Sequence, residues 1–274
     1  MLDVPNSQME KSFAGGKILQ SVSDGIGIVT FNNPEKRNAM SLDMWEGLGQ
    51  ALVELRDNPT VRAVILAGAG DKAFVSGADI SQFEKTRHNA EASEEYSKRS
   101  AAQRALLADY PKPTIACIRG FCLGGGMQVA MLADIRFAGE NSQFGIPAAK
   151  LGIAYGYDGL RNLVSLVGPS WARLIMYTGM RIGSAEAQRI GLVDRVLPDA
   201  ELWDATIEIA RSISGNAPLA IQAAKITIAQ VLKDAGNRDM DAIKAIGTAC
   251  MDSEDFREGR RAFMEKRKPL FKGK

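Results

Sequence analysis

IRGFCLGGGMQVA, residues 118–130, is the stretch on which the reading of this chain turns. The β-branched, apolar run Thr114–Ile118 that leads into it reads as a buried strand, and MQVAMLA beyond it reads as a helix. Three glycines, Gly124 to Gly126, therefore stand where a strand gives way to a helix. The first N–H groups of a helix have no carbonyl within the helix to bond, and small residues let a ligand oxygen approach them. FVSGADI, Phe74–Ile80, is a second junction of this kind, after the short strand Ala73–Val75. Together the two could offer a pair of N–H groups to one carbonyl oxygen. The competing reading is that Gly77 and the three later glycines only permit tight turns or close packing.

Working outward, Lys17–Val22 and Ile26–Phe31 flank Ser23-Asp24-Gly25 and predict a hairpin. After the loop NNPEKRNAM, Ser41 can cap a helix in which Leu42, Trp45, Leu48, Leu52 and Leu55 recur every three or four positions until Asn58-Pro59. A buried strand at Ala63–Leu66 follows, and strand, helix, strand opens an α/β core. The polar segment from Gln82 to about Arg99 is expected to be mobile, and the helix leading to Tyr110 is closed by Pro111 and Pro113. Ile135–Ala138 is a further strand. Helices are predicted at Leu160–Val167, Ser170–Thr178 and Ser184–Ile190, the last closed by a left-handed Gly191, and a strand at Val193–Val196. From there the chain reads as wholly helical, which predicts a core of residues 1–201 and a C-terminal helical subdomain of residues 202–274.

Composition removes whole classes of function. The 274 residues carry 34 basic and 32 acidic side chains, a net charge of +2, too small for the field of a dedicated nucleic-acid binder. Cys117, Cys122 and Cys250 fit neither a disulfide framework nor a zinc site and suit a reducing cytoplasm. No apolar stretch approaches the roughly 18 residues that span a bilayer, and the start MLDVPNSQMEKS lacks an apolar signal core, so a cytoplasmic protein without membrane partners is expected. His88 is the only histidine and lies in the polar stretch KTRHNAEASEEYSKRS, where solvation is the simpler reading. That leaves little for a Ser-His-Asp triad or a histidine-rich metal site, and no metal or separate cofactor is expected. There is no phosphate-binding G-x-x-x-x-G-K-[ST], no G-x-G-x-x-G turn followed by an acid, and no G-x-S-x-G elbow.

FNNPEKRNAM, AFVSGADI, IRGFCLGGGMQVAMLADIRFAGENSQFGIPAAKLGI, TGMRIGSAEAQRIGLVDRVLP and MDSEDFREGRRAFMEKRKPLF, in this order and spacing, resemble the enoyl-CoA hydratase/isomerase (crotonase) superfamily over nearly the whole chain. The resemblance implies a spiral of ββα units with a C-terminal helical region, assembled as homotrimers that often pair into hexamers. It implies an enzyme of fatty acid metabolism acting on an acyl-CoA thioester, with coenzyme A as part of the substrate. The backbone N–H groups of Ala78 and Gly125 would bind the thioester oxygen and stabilise an enolate. Lys36, Arg37, Ala39, Asp79 and Ile80 match positions that line the CoA groove in relatives. Phe263 and Lys266 match residues that reach the adenine and ribose phosphate, commonly in a neighbouring subunit. The basic run Lys266-Arg267-Lys268 reads equally as a solvated helix end.

Two positions depart from the family pattern. Hydratases of the family carry a glutamate two residues after the triple glycine and another after the proline of QFG-x-P. Here these positions hold Gln128 and Ala148. Glutamine exchanges no proton at neutral pH and alanine makes no side-chain hydrogen bond, so the pair that would activate and deliver water is absent. What remains is LGIAYGYDG, Leu151–Gly159. Tyr155 falls where relatives with other chemistries place functional groups, including the tyrosine of methylmalonyl-CoA decarboxylase. That enzyme has a histidine at the place of Ala78. Tyr157 and Asp158 are further candidates; alternatively Tyr155 packs in the core and Asp158 caps the helix at Gly159. The implied function is a lyase or isomerase working through a stabilised enolate, not an efficient hydratase. Decarboxylation of a malonyl-type thioester and a non-catalytic acyl-CoA-binding oligomer are the alternatives.

Overall fold

The computed structural model describes residues 8–79 and 89–274. Strands β1 (Gln8–Phe13), β2 (Ile18–Ser23) and β3 (Ile26–Phe31) form an antiparallel meander that leads into helix α1 (Leu42–Asp57). Three ββα units follow. They are β4 (Ala63–Gly68), β5 (Ala73–Val75) and α2 (Ala90–Ala108); β6 (Thr114–Ile118), β7 (Phe121–Leu123) and α3 (Gly125–Leu132); and β8 (Ile135–Gly139), β9 (Gln143–Gly145) and α4 (Tyr157–Thr178). The first strand of each unit enters one sheet and the second enters another. The larger sheet runs β1-β2-β3-β4-β6-β8-β11 and the smaller β10-β9-β7-β5, where β10 is Arg181–Gly183 and β11 is Arg195–Leu197. Each turn of chain thus advances both sheets by one strand, which is the expected spiral. Between β10 and β11 lies α5 (Ser184–Arg189), and the chain ends in α6 (Leu202–Ser214), α7 (Pro218–Val231), α8 (Met240–Asp252) and α9 (Glu254–Met264).

The central strands β3, β4, β6 and β8 are joined in parallel and buried on both faces, which explains their unbroken apolar runs. Alternate residues serve two cores. Val64, Leu66, Ala116 and Ile118 face the core shared with the smaller sheet, whereas Ile65, Ala67, Ile115 and Cys117 pack with Leu202 and Ala210 of α6.

Several local expectations are corrected. Residues 90–99, read as mobile, lie in α2: Asn89 caps it by accepting from the Ala92 N–H at 2.7 Å, and Tyr96, Ser100 and Leu107 are buried along it. Residues 82–88 of that segment lie outside the described residues. Strands β1, β7, β9 and β10 were not expected, because β1 is a polar edge strand and the other three are only three residues long. The two helices expected at 160–178 are present and are parted at Gly168-Pro169, where Gly168 leaves the helical region at φ 71°, but the first begins earlier, at Tyr157. The last strand begins at Arg195, because Leu192 and Val193 bury their side chains from a loop. Ser41 stands at the N-cap of α1 but makes no capping bond. Its buried hydroxyl has no partner among the described residues. Among the described residues no helix is long and apolar enough to cross a membrane, and no cluster of three metal-ligating side chains forms.

The loop before α1 is held by Asn38, which is fully buried in a left-handed conformation at φ 56°, a region asparagine tolerates. Its Oδ1 accepts from the Asn33 N–H at 2.9 Å, and its Nδ2 donates to the carbonyls of Ala69 at 3.0 Å and Ala73 at 2.7 Å. One side chain therefore ties the loop to the connection between β4 and β5. Asn38→Ala is expected to cost about 2–4 kcal/mol, since three backbone partners, one of them fully buried, lose their bonds at once. Chemical denaturation checks this; a loss below about 0.5 kcal/mol would show that the loop is held by something else.

Candidate active site

Because β5 and β7 are parallel neighbours, with Ala73 opposite Phe121 and Val75 opposite Cys122, the chain leaves both strands at the same place. After β5, Gly77 takes φ 126° and its carbonyl accepts from the Met40 N–H at 2.8 Å, while the Asp79 N–H donates to the Met40 carbonyl at 2.9 Å. The Ala78 N–H, between these two bonds, is turned away from Met40 and has no backbone partner among the described residues. After β7, the Gly124 N–H donates to the Gly145 carbonyl at 2.9 Å and α3 begins at Gly125. The Gly125 N–H belongs to the first turn and has no carbonyl in the helix to bond. The two peptides lie against each other: a Cβ on Gly125 would sit 3.7 Å from the Ala78 nitrogen. The helix rests directly on the strand, since a Cβ on Gly126 would fall 2.1 Å from the Val75 carbonyl oxygen. Such a pair of neighbouring donors, reinforced by the helix N-terminus, can polarise a carbonyl placed between them.

Ala78 and Gly125 open onto a cavity of about 610 Å³ whose wall also includes Gln128, Ala148, Tyr155 and Asp158. Six of the residues singled out by sequence thus meet in one place. Gln128 lies one turn into α3, and Ala148 is buried in the short 3-10 turn Pro147–Leu151. Neither position presents a carboxylate. The ring of Tyr155 packs on the backbone of Gly159, where a Cβ would lie 2.5 Å from its Cε1. The phenol oxygen is sealed from solvent, beside Gln128, without a hydrogen bond of ordinary geometry to any described residue. Burial pushes its pKa well above the usual tyrosine value, an effect that Gln128 and the positive charge of Arg104 oppose. Tyr155 therefore stays neutral and is a donor, not a base. Asp158 and Tyr157 are exposed in the first turn of α4. Asp158 does not cap the helix, whose N-cap is Gly156, although its charge suits the N-terminal dipole.

The expected groove residues lie around the first junction. The Lys36 ammonium pairs with the buried Asp79 carboxylate at 3.0 Å, the Arg37 guanidinium sits 5.5 Å from the centre of the Phe121 ring, and Ala39 is buried. Ile80 and His88 lie outside the described residues. Phe263, 83% exposed at the end of α9, and Lys266 are not part of this cavity. Phe263 instead borders a second cavity, of about 450 Å³, between α7 and α9. Sequence reasoning missed Arg104 and Gly159. Arg104 belongs to the helix predicted to lead to Tyr110, and its only signal is its place one turn after Ser100 on α2.

A family model described as enoyl-CoA hydratase/isomerase matches residues 21–274. The chain is 36% identical over 247 residues to a short-chain-enoyl-CoA hydratase of Clostridium acetobutylicum, covering 89% of this chain and 92% of that protein. It is 34% identical over 254 residues to a crotonyl-CoA hydratase of Syntrophomonas wolfei, covering 93% and 97%. A solved structure, the enoyl-CoA hydratase from Bacillus anthracis, is similar with a TM-score of 0.88 and 31% identity, covering 94% of this chain and 100% of that one.

The unpaired phenol has a measurable cost. Tyr155→Phe is expected to raise stability by about 1 kcal/mol, because it removes a buried polar group that gains no bond. Tyr110 is the contrast: its hydroxyl donates to the Leu52 carbonyl at 3.0 Å, so Tyr110→Phe should lose about 1 kcal/mol. Parallel denaturation curves of the two variants check the pair. Equal losses in both would mean that Tyr155 is held by a bond like that of Tyr110.

Proposed function

The chain belongs to the enoyl-CoA hydratase/isomerase family, and on that premise we propose that it is an acyl-CoA lyase or isomerase that is not an efficient hydratase. In this reading the thioester oxygen lies between the N–H groups of Ala78 and Gly125, which stabilise the charge that develops as an enolate forms. One such donor is worth about 3–4 kcal/mol in well-studied oxyanion holes. The observation that carries the reading is the combination of two adjacent backbone donors, without a backbone partner among the described residues, in the wall of a cavity with an amide and a methyl group, Gln128 and Ala148, in place of two carboxylates. The electron sink is kept while the acid-base pair for water is not.

Lys36, Arg37, Ala39, Asp79 and Ile80 would line the CoA groove. The Lys36–Asp79 pair supports this, since it keeps a half-exposed ammonium beside the Ala78 junction. Phe263 and Lys266 would meet the nucleotide end from a neighbouring subunit. A trimer, or a hexamer of two, is supported by the exposed Ile228, Val231, Leu232, Met240, Met251 and Met264 along the C-terminal helices. Tyr155 would orient a carboxylate or a leaving group as a neutral donor, with Asp158 a second polar group near the mouth.

Decarboxylation of a malonyl-type thioester is the second reading. It is favoured by the same pair, Gln128 and Ala148, because loss of CO₂ needs the electron sink but no base at the carboxylate. A non-catalytic acyl-CoA binder is the third, and turnover of any thioester excludes it.

Crotonyl-CoA is expected to be hydrated at least about 10²-fold more slowly than by a good hydratase, since positioned acid-base groups contribute about 10²–10⁴-fold. A turnover number of roughly 10²–10³ per second would overturn the reading. Gln128→Glu combined with Ala148→Glu is expected to install detectable hydration. Malonyl-, methylmalonyl- and 3-hydroxyacyl-CoA, assayed with wild type and Tyr155→Phe, separate the remaining reactions. Full turnover of every accepted substrate by a well-folded Tyr155→Phe would remove Tyr155 from the mechanism.

A further inference from the structure

Gln128 stands three residues after Gly125 on α3, is half-buried and lines the same cavity. Residues at that spacing share a helix face, with Cβ atoms about 5–6 Å apart, and their side chains lean toward the helix N-terminus. The Gln128 carboxamide therefore reaches back toward the carbons that follow a carbonyl held by the Ala78 and Gly125 N–H groups. Beside it lies the Tyr155 hydroxyl, sealed from solvent and without a hydrogen bond of ordinary geometry to any described residue. Among the groups that bear on this hydroxyl, Gln128, Arg104 and Cys122, only the carboxamide oxygen is a strong acceptor. A small rotation that lets this oxygen accept from the phenol turns the amide N–H groups to the cavity, so that Gln128 meets a ligand as a donor. Arg104, the cation of the same wall, is engaged with the Ser100 hydroxyl at 3.0 Å and with the Trp45 ring at 5.6 Å. The oxygen that suits a neutral, half-buried amide is an uncharged one, since a carboxylate desolvated there would lose more than one neutral bond returns.

We propose that Gln128 is a specificity-determining residue whose amide N–H donates to an uncharged oxygen on the third carbon of the acyl group, with Tyr155 positioning the amide, so that the preferred ligands are CoA thioesters of 3-oxo acids. This rests on the reading of the cavity as the acyl site of a thioester enzyme. It adds what that reading leaves open, the chemistry of the acyl group. A 3-oxo thioester also suits a site without a carboxylate base at positions 128 and 148. The hydrogen on its second carbon is flanked by two carbonyls, so the C–H bond breaks readily, the electron pair spreads over both oxygens and the proton passes to water. Three N–H donors then face the two oxygens that share the charge.

The test pairs each 3-oxo thioester with one that carries a methyl group in place of the ketone oxygen. Acetoacetyl-CoA is compared with isovaleryl-CoA, and 3-oxohexanoyl-CoA with 3-methylhexanoyl-CoA, on wild type, Gln128→Met and Tyr155→Phe; malonyl-CoA is the carboxylate probe. Dissociation constants are measured by calorimetric titration, with kcat/KM in their place for any probe that is consumed. A general loss of affinity lowers both members of a pair and leaves their ratio unmoved, so the ratio reads the oxygen alone. Wild type is expected to prefer the ketone by about tenfold in at least one pair, because the methyl match leaves the amide donor unpaired. That preference should fall to near unity in Gln128→Met and in part in Tyr155→Phe. Equal or tighter binding of the methyl member in both pairs overturns the proposal while leaving the thioester reading intact. So does a preference for malonyl-CoA over acetoacetyl-CoA, or a ketone preference that Gln128→Met does not change. A ketone preference kept in full by Tyr155→Phe overturns the positioning role of the phenol. If no thioester binds at all, the reading of the cavity falls and the proposal with it. Should Gln128→Met fail to fold, the wild-type ratios decide together with Gln128→Glu, which sets a negative charge against the ketone and is expected to reverse the preference.

Discussion

The structure depends on one close approach, that of the peptide after β5 to the peptide that opens α3. A Cβ on Gly125 would stand 3.5 Å from the Gly77 carbonyl carbon, and one on Gly126 would collide with the Val75 carbonyl oxygen at 2.1 Å. At Gly126 only backbone fits between the two elements, whereas at Gly125 the contact is an ordinary one. The parallel pairing of β5 with β7 brings the two chain exits together, and the ladder through Met40 uses the neighbouring groups of Gly77 and Asp79. Two N–H groups are left over by this geometry without any side chain being spent on them. Asn38 serves the same end from further back, by tying the loop that carries Met40 to the connection before β5.

Around this fixed pair the cavity wall carries the variation. The spiral delivers Gln128 from α3, Ala148 from the turn after β9, and Arg104 from α2, each on a different unit. A change at one of these positions leaves the strand pairing untouched, so a reaction can be altered without altering the fold. The neutral pair Gln128 and Ala148 and the buried, unbonded Tyr155 hydroxyl are of this kind. Gln128 and Ala148 bring no carboxylate to the cavity wall, and the hydroxyl is expected to cost a little stability.

The sequence carried the central strands plainly, because strands buried on both faces read as continuous apolar runs and their exits are marked by glycine. The smaller sheet was illegible: β7, β9 and β10 are three residues each, too short to show alternation, and they exist because the spiral aligns them. Helix α2 was half legible, its polar first half resting on a cap at Asn89 and on contact with α1 that composition does not reveal. At the site, Ala78, Gly125, Gln128, Ala148, Tyr155 and Asp158 were all found from motifs, since these lie at the ends of strands and helices where glycine and proline punctuate the chain. Arg104 was not, because an arginine on an exposed-looking helix has no local mark that it turns inward. Gly159 was quoted only as a helix start; that it exists to seat the Tyr155 ring is a fact of packing.

The central claim is that the two leftover N–H groups bind a thioester oxygen. A crystal structure with a non-reactive acyl-CoA analogue tests it most directly. The account predicts the thioester oxygen at about 2.8–3.2 Å from both the Ala78 and the Gly125 nitrogen, the ordinary range for N–H···O bonds. An oxygen more than about 3.5 Å from both, with the analogue otherwise well ordered, would contradict it.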